Sequence, residues 1–369
     1  MKDVTTLYKT SSTGKLMQWC AYAEGSNLVM EYGQVGGKIQ KKVIPCEAKN
    51  IGRANATTAE QQAEKEVVAK YEYQLKTGYF EDIEQAKQFR LKKPMRAKDY
   101  KDHAGKLRFP CYGSPKLNGF RLAMVEGTSY SKAGIQEDLT GKPEHLVKMF
   151  GSLTKISANT DGEIYCHGMS LQDIRSAWLT PKEDSIKLKY YIYDIPADGV
   201  PMHGRMRGLK NLESCFEAAL SKYPVEFVEQ RILRTQAEAD AFYQECLAKG
   251  YEGVVYRNED GVYEFDKQSS DMIKRKPRLD AEAKVLSVTK DRIGDGVLLC
   301  QMPSGLTFEC KMKKPKTKGQ QSYRGYDAAT TLIGKWINYE YEELSNDGKP
   351  TKPVGIYVRD CNDAGEPLV

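Results

Sequence analysis

The sequence predicts a multidomain α+β protein with a small N-terminal mixed domain, a central α+β domain and a C-terminal β-barrel. Three observations carry that reading. At 369 residues the chain is too long for one ordinary core. Between Phe109 and Pro277, strand-like and helix-like patterns alternate. Beyond Pro277 the helical periodicity nearly vanishes, leaving short alternating strands separated by turns.

Residues 1–80 form the first unit. Residues 19–22 and 27–32 read as paired strands joined by the turn Glu24-Gly25-Ser26, and Gly33, Gly36 and Gly37 then break the pattern. Thr57-Thr58-Ala59-Glu60 starts a helix, with an acid in its first turn. Apolar residues at helical spacing follow from 61 to 76, and Gly78 is placed to cap the end. Residues 81–108 contain Pro94 and read as a basic connector. Within the domain 109–277, residues 121–125 and 189–193 read as strands, and 209–222 and 236–249 as helices. In 278–369 the segments 284–288, 296–300, 306–310 and 336–341 alternate in the strand manner. Four or five such strands fit a small barrel.

The chain is 40% hydrophobic and 29% charged, the balance of a globular protein. No run of about 18 apolar residues predicts a membrane span. The N-terminus lacks the apolar core of a signal peptide. The nine cysteines stand singly and form no Cys-x-x-Cys pair, which supports neither a disulfide framework nor a cysteine zinc site. A cytoplasmic protein with reduced thiols is expected. Net charge is only +6, but it is unevenly placed. Residues 87–108 hold nine Lys/Arg against Asp99 and Asp102, and 311–318 hold five lysines and no acid. Such clusters suit a polyanion. Each run taken alone reads equally well as a solvated loop.

The chemistry centres on Lys116-Leu117-Asn118-Gly119-Phe120-Arg121. The lysine follows the turn-forming Ser114-Pro115 and precedes an Asn-Gly turn. A lysine amine attacks only when neutral, and its ordinary pKa is about 10.4. Nearby cations such as Lys274, Lys276 and Arg121 would favour the neutral form. An amine attacking a nucleotide α-phosphate expels pyrophosphate and calls for a divalent cation. Glu163 and Glu252, each beside a glycine at a strand end, are the hard-oxygen candidates for Mg²⁺. Either glutamate alone also reads as an exposed strand-end acid. The chain has neither Gly-x-x-x-x-Gly-Lys-Ser/Thr nor Gly-x-Gly-x-x-Gly after a strand, so side-chain cations would have to hold a nucleotide's phosphates. Tyr193 offers an aromatic face for the base, although by itself it reads as a core residue of a strand.

Taken in order, the segments resemble the motifs of the covalent nucleotidyltransferases, specifically the ATP-dependent DNA ligases of bacteriophage type. Lys116–Arg121 resembles the Lys-x-Asp-Gly-x-Arg nucleophile motif, and Tyr130-Ser131-Lys132-Ala133-Gly134 the Ser/Thr-Arg-x-Gly segment that follows it. Asp161-Gly162-Glu163, Tyr191-Ile192-Tyr193-Asp194, Glu252-Gly253-Val254-Val255 and Lys274-Arg275-Lys276-Pro277 resemble the later motifs. Each is short and weak alone; their order makes the resemblance specific. It implies a nucleotidyltransferase (adenylation) domain over 109–277 and an OB-fold over 278–369. It implies ATP and Mg²⁺ as cofactors and nicked duplex DNA as the partner of a monomeric enzyme of bacterial or phage-infected cytosol, acting in replication, repair or recombination.

By the same resemblance Lys116 becomes the AMP-carrying nucleophile, and Arg121 contacts phosphate or the nick. Glu163 binds ribose or assists the metal, Tyr193 stacks on adenine and Glu252 holds the metal. Lys274 and Lys276 contact the α-phosphate. Lys132, Lys311, Lys313, Lys314, Lys316 and Lys318 face DNA. Asn118 departs from the family's aspartate, and Arg359-Asp360 is the nearest match to the closing Arg-x-Asp-Lys motif. The N-terminal unit resembles a WGR-type DNA-binding domain through Tyr32-Gly33-Gln34, Lys49-Asn50-Ile51-Gly52-Arg53 and Lys76-Thr77-Gly78-Tyr79. An RNA ligase, a GTP-using capping enzyme and a non-catalytic DNA-binding homologue stand as alternatives. The absence of a cysteine zinc module speaks against NAD⁺ as the donor.

Overall fold

The computed structural model describes residues 5–11, 13–89, 93–217, 223–315 and 322–368. The chain divides into two compact units, Met1–Arg275 and Lys276–Val369. The first opens with β1 (Leu7–Thr10), β2 (Leu16–Glu24), β3 (Asn27–Gln34) and β4 (Ile39–Pro45), paired in that order as an antiparallel meander. The expected turn joins β2 to β3, with Glu24 opposite Asn27. Helix α1 (Ala59–Lys76) starts after Thr58, whose side chain accepts the Gln61 N–H in a capping box. Gly78, at φ +85°, follows the helix end, where the left-handed region favours glycine. Val67 of α1 packs with Leu7, Trp19, Ala21 and Leu28.

Residues 81–108 correct the expectation of a connector. They contain α2 (Ile83–Gln88), β5 (Arg96–Asp99) and α3 (Tyr100–His103). β5 is the edge strand of a sheet that carries the central site. Met95, only 2% exposed, joins Val255, Tyr263 and Met272 in a small core. The charged string Arg-Ala-Lys-Asp disguised this strand, because backbone pairing rather than an apolar face holds it in place.

The next strands are β6 (Cys111–Lys116), β7 (Phe120–Val125), β8 (Thr128–Ser131), β9 (Thr160–Tyr165), β10 (Lys189–Asp194), β11 (Val225–Phe227), β12 (Arg231–Leu233), β13 (Gly253–Asn258) and β14 (Gln268–Arg275). They build two five-stranded sheets, ordered β11-β10-β9-β7-β8 and β12-β6-β13-β14-β5. Helices α4 (Glu144–Lys155), α5 (Leu171–Leu179) and α6 (Met202–Cys215) share a core with the first sheet, where Phe150, Trp178 and Met206 meet Ile164, Tyr190 and Ile192. Helix α7 (Gln236–Ala248) packs Phe242 and Cys246 with Cys111, Val254 and Tyr256 of the second. α6 begins at Met202 rather than at 209. Met202, Met206 and Leu209 form its buried stripe, while Gly204 and Gly208 weaken the helical signal in the sequence. The expected end of that helix, at 218–222, lies outside the described residues.

The second unit is a closed barrel of β15 (Leu279–Lys290), β16 (Gly296–Gln301), β17 (Thr307–Met312), β18 (Trp336–Tyr341) and β19 (Val354–Arg359), ordered β15-β16-β17-β19-β18. A parallel pairing of β17 with β19 closes it. The short helix α8 (Tyr326–Thr330) contributes Ala329 to the barrel core. All nine cysteines are free thiols. Among the described residues, no helix is long and apolar enough to cross a membrane.

Candidate active site

Strand register assembles the site. In the β6–β13 pair Lys116 lies opposite Gly253, which brings Glu252 alongside, and the Glu252 N–H donates to the Lys116 carbonyl at 3.1 Å. The Lys116 Nζ and the Glu252 carboxylate form an ion pair. On the other sheet Arg121 of β7 lies opposite Glu163 of β9, and Glu163 lies opposite Tyr191 of β10, two residues from Tyr193. Lys274 of β14 pairs with Val255 of β13.

Two glycines allow this approach. A Cβ on Gly119 would stand 2.4 Å from the Ile164 carbonyl oxygen and 2.7 Å from Glu163 Cγ. One on Gly162 would stand 2.6 Å from the Tyr190 ring. The glycines of the Asn-Gly and Asp-Gly-Glu motifs are therefore required by close packing.

A cavity of about 290 Å³ gathers Lys116, Arg121, Lys132, Glu163, Tyr193 and Lys274 on its walls. Lys132 sits in a tight turn closed by the Gly134 N–H on the Ser131 carbonyl at 2.8 Å. Burial pushes the Glu163 carboxyl up to about 7, although the charges of Lys116 and Arg121 oppose it. Arg121 is fixed from behind: its Nε and Nη2 donate to Asp161 at 2.9 and 2.6 Å, and Nη2 also donates to the Met95 carbonyl at 2.8 Å. Only the Nη1 edge is outside these bonds.

The sequence pattern leads one to expect cations that keep Lys116 neutral. Its immediate partner is instead a carboxylate. A proton must leave Nζ before the nitrogen can attack, and the paired carboxylate stands where it can take that proton.

The cavity also holds residues that no sequence motif marks. Arg96, Ala97, Arg257 and Gln268 are among them. Arg257 is only 2% exposed. Its Nη1 donates to Ser114 Oγ at 2.8 Å, and its Nε lies 3.4 Å from Asp194. Asp194 also accepts from Arg205 Nε at 2.7 Å. Two guanidiniums lie near the Tyr193 ring, Arg257 5.5 Å and Arg121 5.9 Å from its centroid. An arginine inside the otherwise apolar run Gly-Val-Val-Tyr-Arg was the available signal for Arg257.

The remaining expected residues belong to the second unit. Lys276 pairs with Glu342 at 2.8 Å. Burial would raise Glu342, but the hydrogen bonds from Lys276 and Lys352 hold its carboxyl at about 2. Lys311 is bracketed by Asp291 and Asp295. Lys313 and Lys314 are exposed, and Lys316 and Lys318 lie outside the described residues. Arg359 donates to the Tyr357 hydroxyl at 2.9 Å and lies 3.7 Å from Glu282. Two carboxylates, Glu163 and Glu252, fit Mg²⁺, which takes one or two protein oxygens together with water and substrate phosphates.

Residues 94–276 match the ATP dependent DNA ligase domain family. DNA ligase of African swine fever virus (isolate Tick/South Africa/Pretoriuskop) is 27% identical over 331 residues, covering 84% of this chain and 77% of the viral protein. The Badajoz strain's DNA ligase is 28% identical over 333 residues with the same coverage. Among solved structures, a Lig E DNA ligase overlays with TM-score 0.57 at 21% identity, over 72% of this chain and 98% of its own. Pmar-Lig_Pre overlays with TM-score 0.60 at 16% identity, over 83% and 78%. At such identities these structures speak for the fold. The match over 94–276, together with the viral relatives, makes residues 94–276 an ATP-dependent DNA ligase domain.

Proposed function

We propose that this ligase seals nicks between a 5′-phosphate and a 3′-hydroxyl in duplex DNA through an AMP adduct on Lys116. In the first step Lys116 Nζ attacks the α-phosphorus of ATP. The nitrogen–phosphorus bond forms, the bond to the β-phosphate bridging oxygen breaks, and pyrophosphate leaves. Glu252, already paired with Nζ, is the group in position to hold or take the amine proton. AMP then passes to the DNA 5′-phosphate, and the 3′-hydroxyl displaces it. Tyr193 supports the base, Glu163 the ribose, and Lys274 and the Nη1 edge of Arg121 the phosphates. A divalent cation held by Glu252 and Glu163 would neutralise charge on the phosphates.

One observation carries the reading: Lys116 is ion-paired to Glu252 at a cavity whose walls also hold Glu163, Tyr193, Arg121 and Lys274. We read the closed barrel as an OB-fold that faces DNA, and residues 1–80 as a WGR-like domain that adds a second DNA contact. Domain limits of 1–80, 109–277 and 278–369, a monomeric state and a cytosolic location belong to the same proposal.

The test is a joining assay with ATP, GTP or NAD⁺ on nicked DNA, a nicked DNA–RNA hybrid and single-stranded RNA. Sealing of nicked DNA with ATP is expected. Joining of RNA alone, or use of GTP alone, would overturn the reading.

A further inference from the structure

Arg96 stands apart from the other cations of the Lys116 cavity. Arg121 and Arg257 are backed by Asp161 and Asp194, and Lys116 is paired with Glu252. Arg96 also lines the cavity, yet among the described residues no carboxylate pairs with it, and its Nε is buried without a hydrogen-bond partner. A buried N–H left unpaired is unfavourable, so such a donor at a cavity wall calls for a ligand.

Backbone bonds fix where Arg96 stands. It lies on β5 opposite Gln268 of β14. Its N–H donates to the Lys267 carbonyl at 2.9 Å, and Gln268 Nε2 donates to the Ala97 carbonyl at 3.0 Å. The residues just ahead of it touch two other parts of the wall. Met95 accepts Arg121 Nη2 on its carbonyl at 2.8 Å. Lys93 packs on the turn that carries Lys132, where a Cβ on Gly134 would stand 2.8 Å from Lys93 Cβ. Segment 93–96 thus ties Arg96 to the Arg121 guanidinium and to the Lys132 turn. Lys274 belongs to the other end of β14, nearer the nucleophile. Its partner Val255 is two residues from Gly253, which lies opposite Lys116.

We infer that Arg96, with the Nη1 edge of Arg121 and Lys132, binds the 5′-phosphate at the nick and makes the enzyme selective for phosphorylated 5′ ends. This deepens the proposed function and rests on it. Once AMP is on Lys116, the second step brings two phosphates together. An oxygen of the 5′-phosphate attacks the AMP phosphorus, the nitrogen–phosphorus bond breaks, and the Lys116 nitrogen leaves with the proton that Glu252 holds. A terminal phosphate carries a charge of about −2 and the AMP phosphate is itself an anion. Their repulsion at close range opposes the step unless cations stand on the incoming group. Lys274 serves the AMP side and Arg96 the incoming side. A guanidinium offers a phosphate two parallel N–H bonds, which a 5′-hydroxyl end cannot accept in the same way.

The test uses the full chain in single turnovers. The protein is loaded with AMP from ATP, freed of ATP and mixed with a nicked duplex whose 3′ end is blocked, so that AMP-capped DNA accumulates. Self-adenylation is timed separately without DNA and also reports folding. R96Q is expected to slow AMP transfer about tenfold or more beyond any slowing of self-adenylation, as loss of a charge-assisted pair predicts. The second readout is binding of the AMP-loaded protein to nicks ending in 5′-phosphate or 5′-hydroxyl. The unaltered chain is expected to favour the phosphate by about tenfold, and R96Q to lose most of that preference. R96K keeps the charge without the fork and is expected to fall between the two. Equal slowing of both steps by R96Q would assign Arg96 to ATP or to the fold. No slowing of transfer, or an unaltered preference for the 5′-phosphate, would leave Arg96 without a DNA phosphate. Each of these results overturns the inference and leaves the proposed function standing. Absence of AMP transfer by the unaltered chain would overturn both.

Discussion

The Lys116 cavity and the β15–β16 hairpin use the same materials for opposite ends. In the cavity, Asp161 and Asp194 lie behind Arg121 and Arg257 at 1% and 2% exposure. They fix the guanidiniums from the rear, and the cavity still meets their outer edges. At the hairpin, the carboxylates enclose Lys311 and use its charge for structure. A cation's sequence context is therefore a poor guide to whether it meets a ligand. The position of its carboxylate, behind it or around it, decides.

That contrast can be broken first by stability. Asp194→Ala leaves Arg205 and Arg257 without their carboxylate in a dry interior, and is expected to cost about 3–5 kcal/mol. Urea unfolding measures it, and a cost below about 1 kcal/mol would mean the buried pairs are not what positions the cavity. The stacking role comes next. Tyr193→Ala is expected to weaken adenylation at limiting ATP by about 1–3 kcal/mol, the range for one base on an aromatic ring. Tyr193→Phe keeps the ring and is expected to stay close to wild type. Normal adenylation by the alanine variant at limiting ATP would remove the base from that ring.

A more gradual effect follows from Glu163, whose carboxyl is pushed up to about 7 in the folded chain, against 4.5 for an unperturbed glutamate. Between those values the native state holds a proton that the unfolded state has released. The stability that Glu163 contributes is therefore greatest below about 4.5 and declines as pH rises toward 7, by at most about 1.4 kcal/mol per unit. Glu163→Gln should flatten that part of the profile, measured as urea-unfolding free energy against pH. An unchanged slope would place the carboxyl in a wetter setting.

Much of the cavity was legible in the sequence because its residues lie in short ordered segments on strands or in the turns beside them, where spacing is rigid. Lys116, Arg121, Lys132, Glu163, Tyr193 and Lys274 are brought together as their order suggested. What escaped depends on pairing between distant strands. β5 is a strand because β14 offers it hydrogen bonds, with Lys274 opposite Asp99, and four mostly charged residues cannot announce that. Arg257 reaches the cavity because β13 runs beside β6 and turns that side chain toward Ser114. The partner of Lys116 was hidden for a similar reason. Glu252 is 136 residues away in the chain, and only the β6–β13 register places it at the amine. In the barrel the strands were visible by alternation, whereas the ion pairs of Lys276 and Lys311 were not.

The central claim is that Lys116 receives AMP while the paired Glu252 takes its proton. The direct measurement is incubation of the full chain with ATP and Mg²⁺, followed by proteolysis and mass spectrometry of the adduct. The account predicts one AMP on Lys116, lost in Lys116→Ala, and strongly reduced in Glu252→Ala. An AMP adduct on any other lysine, or undiminished adduct in Lys116→Ala, would contradict it.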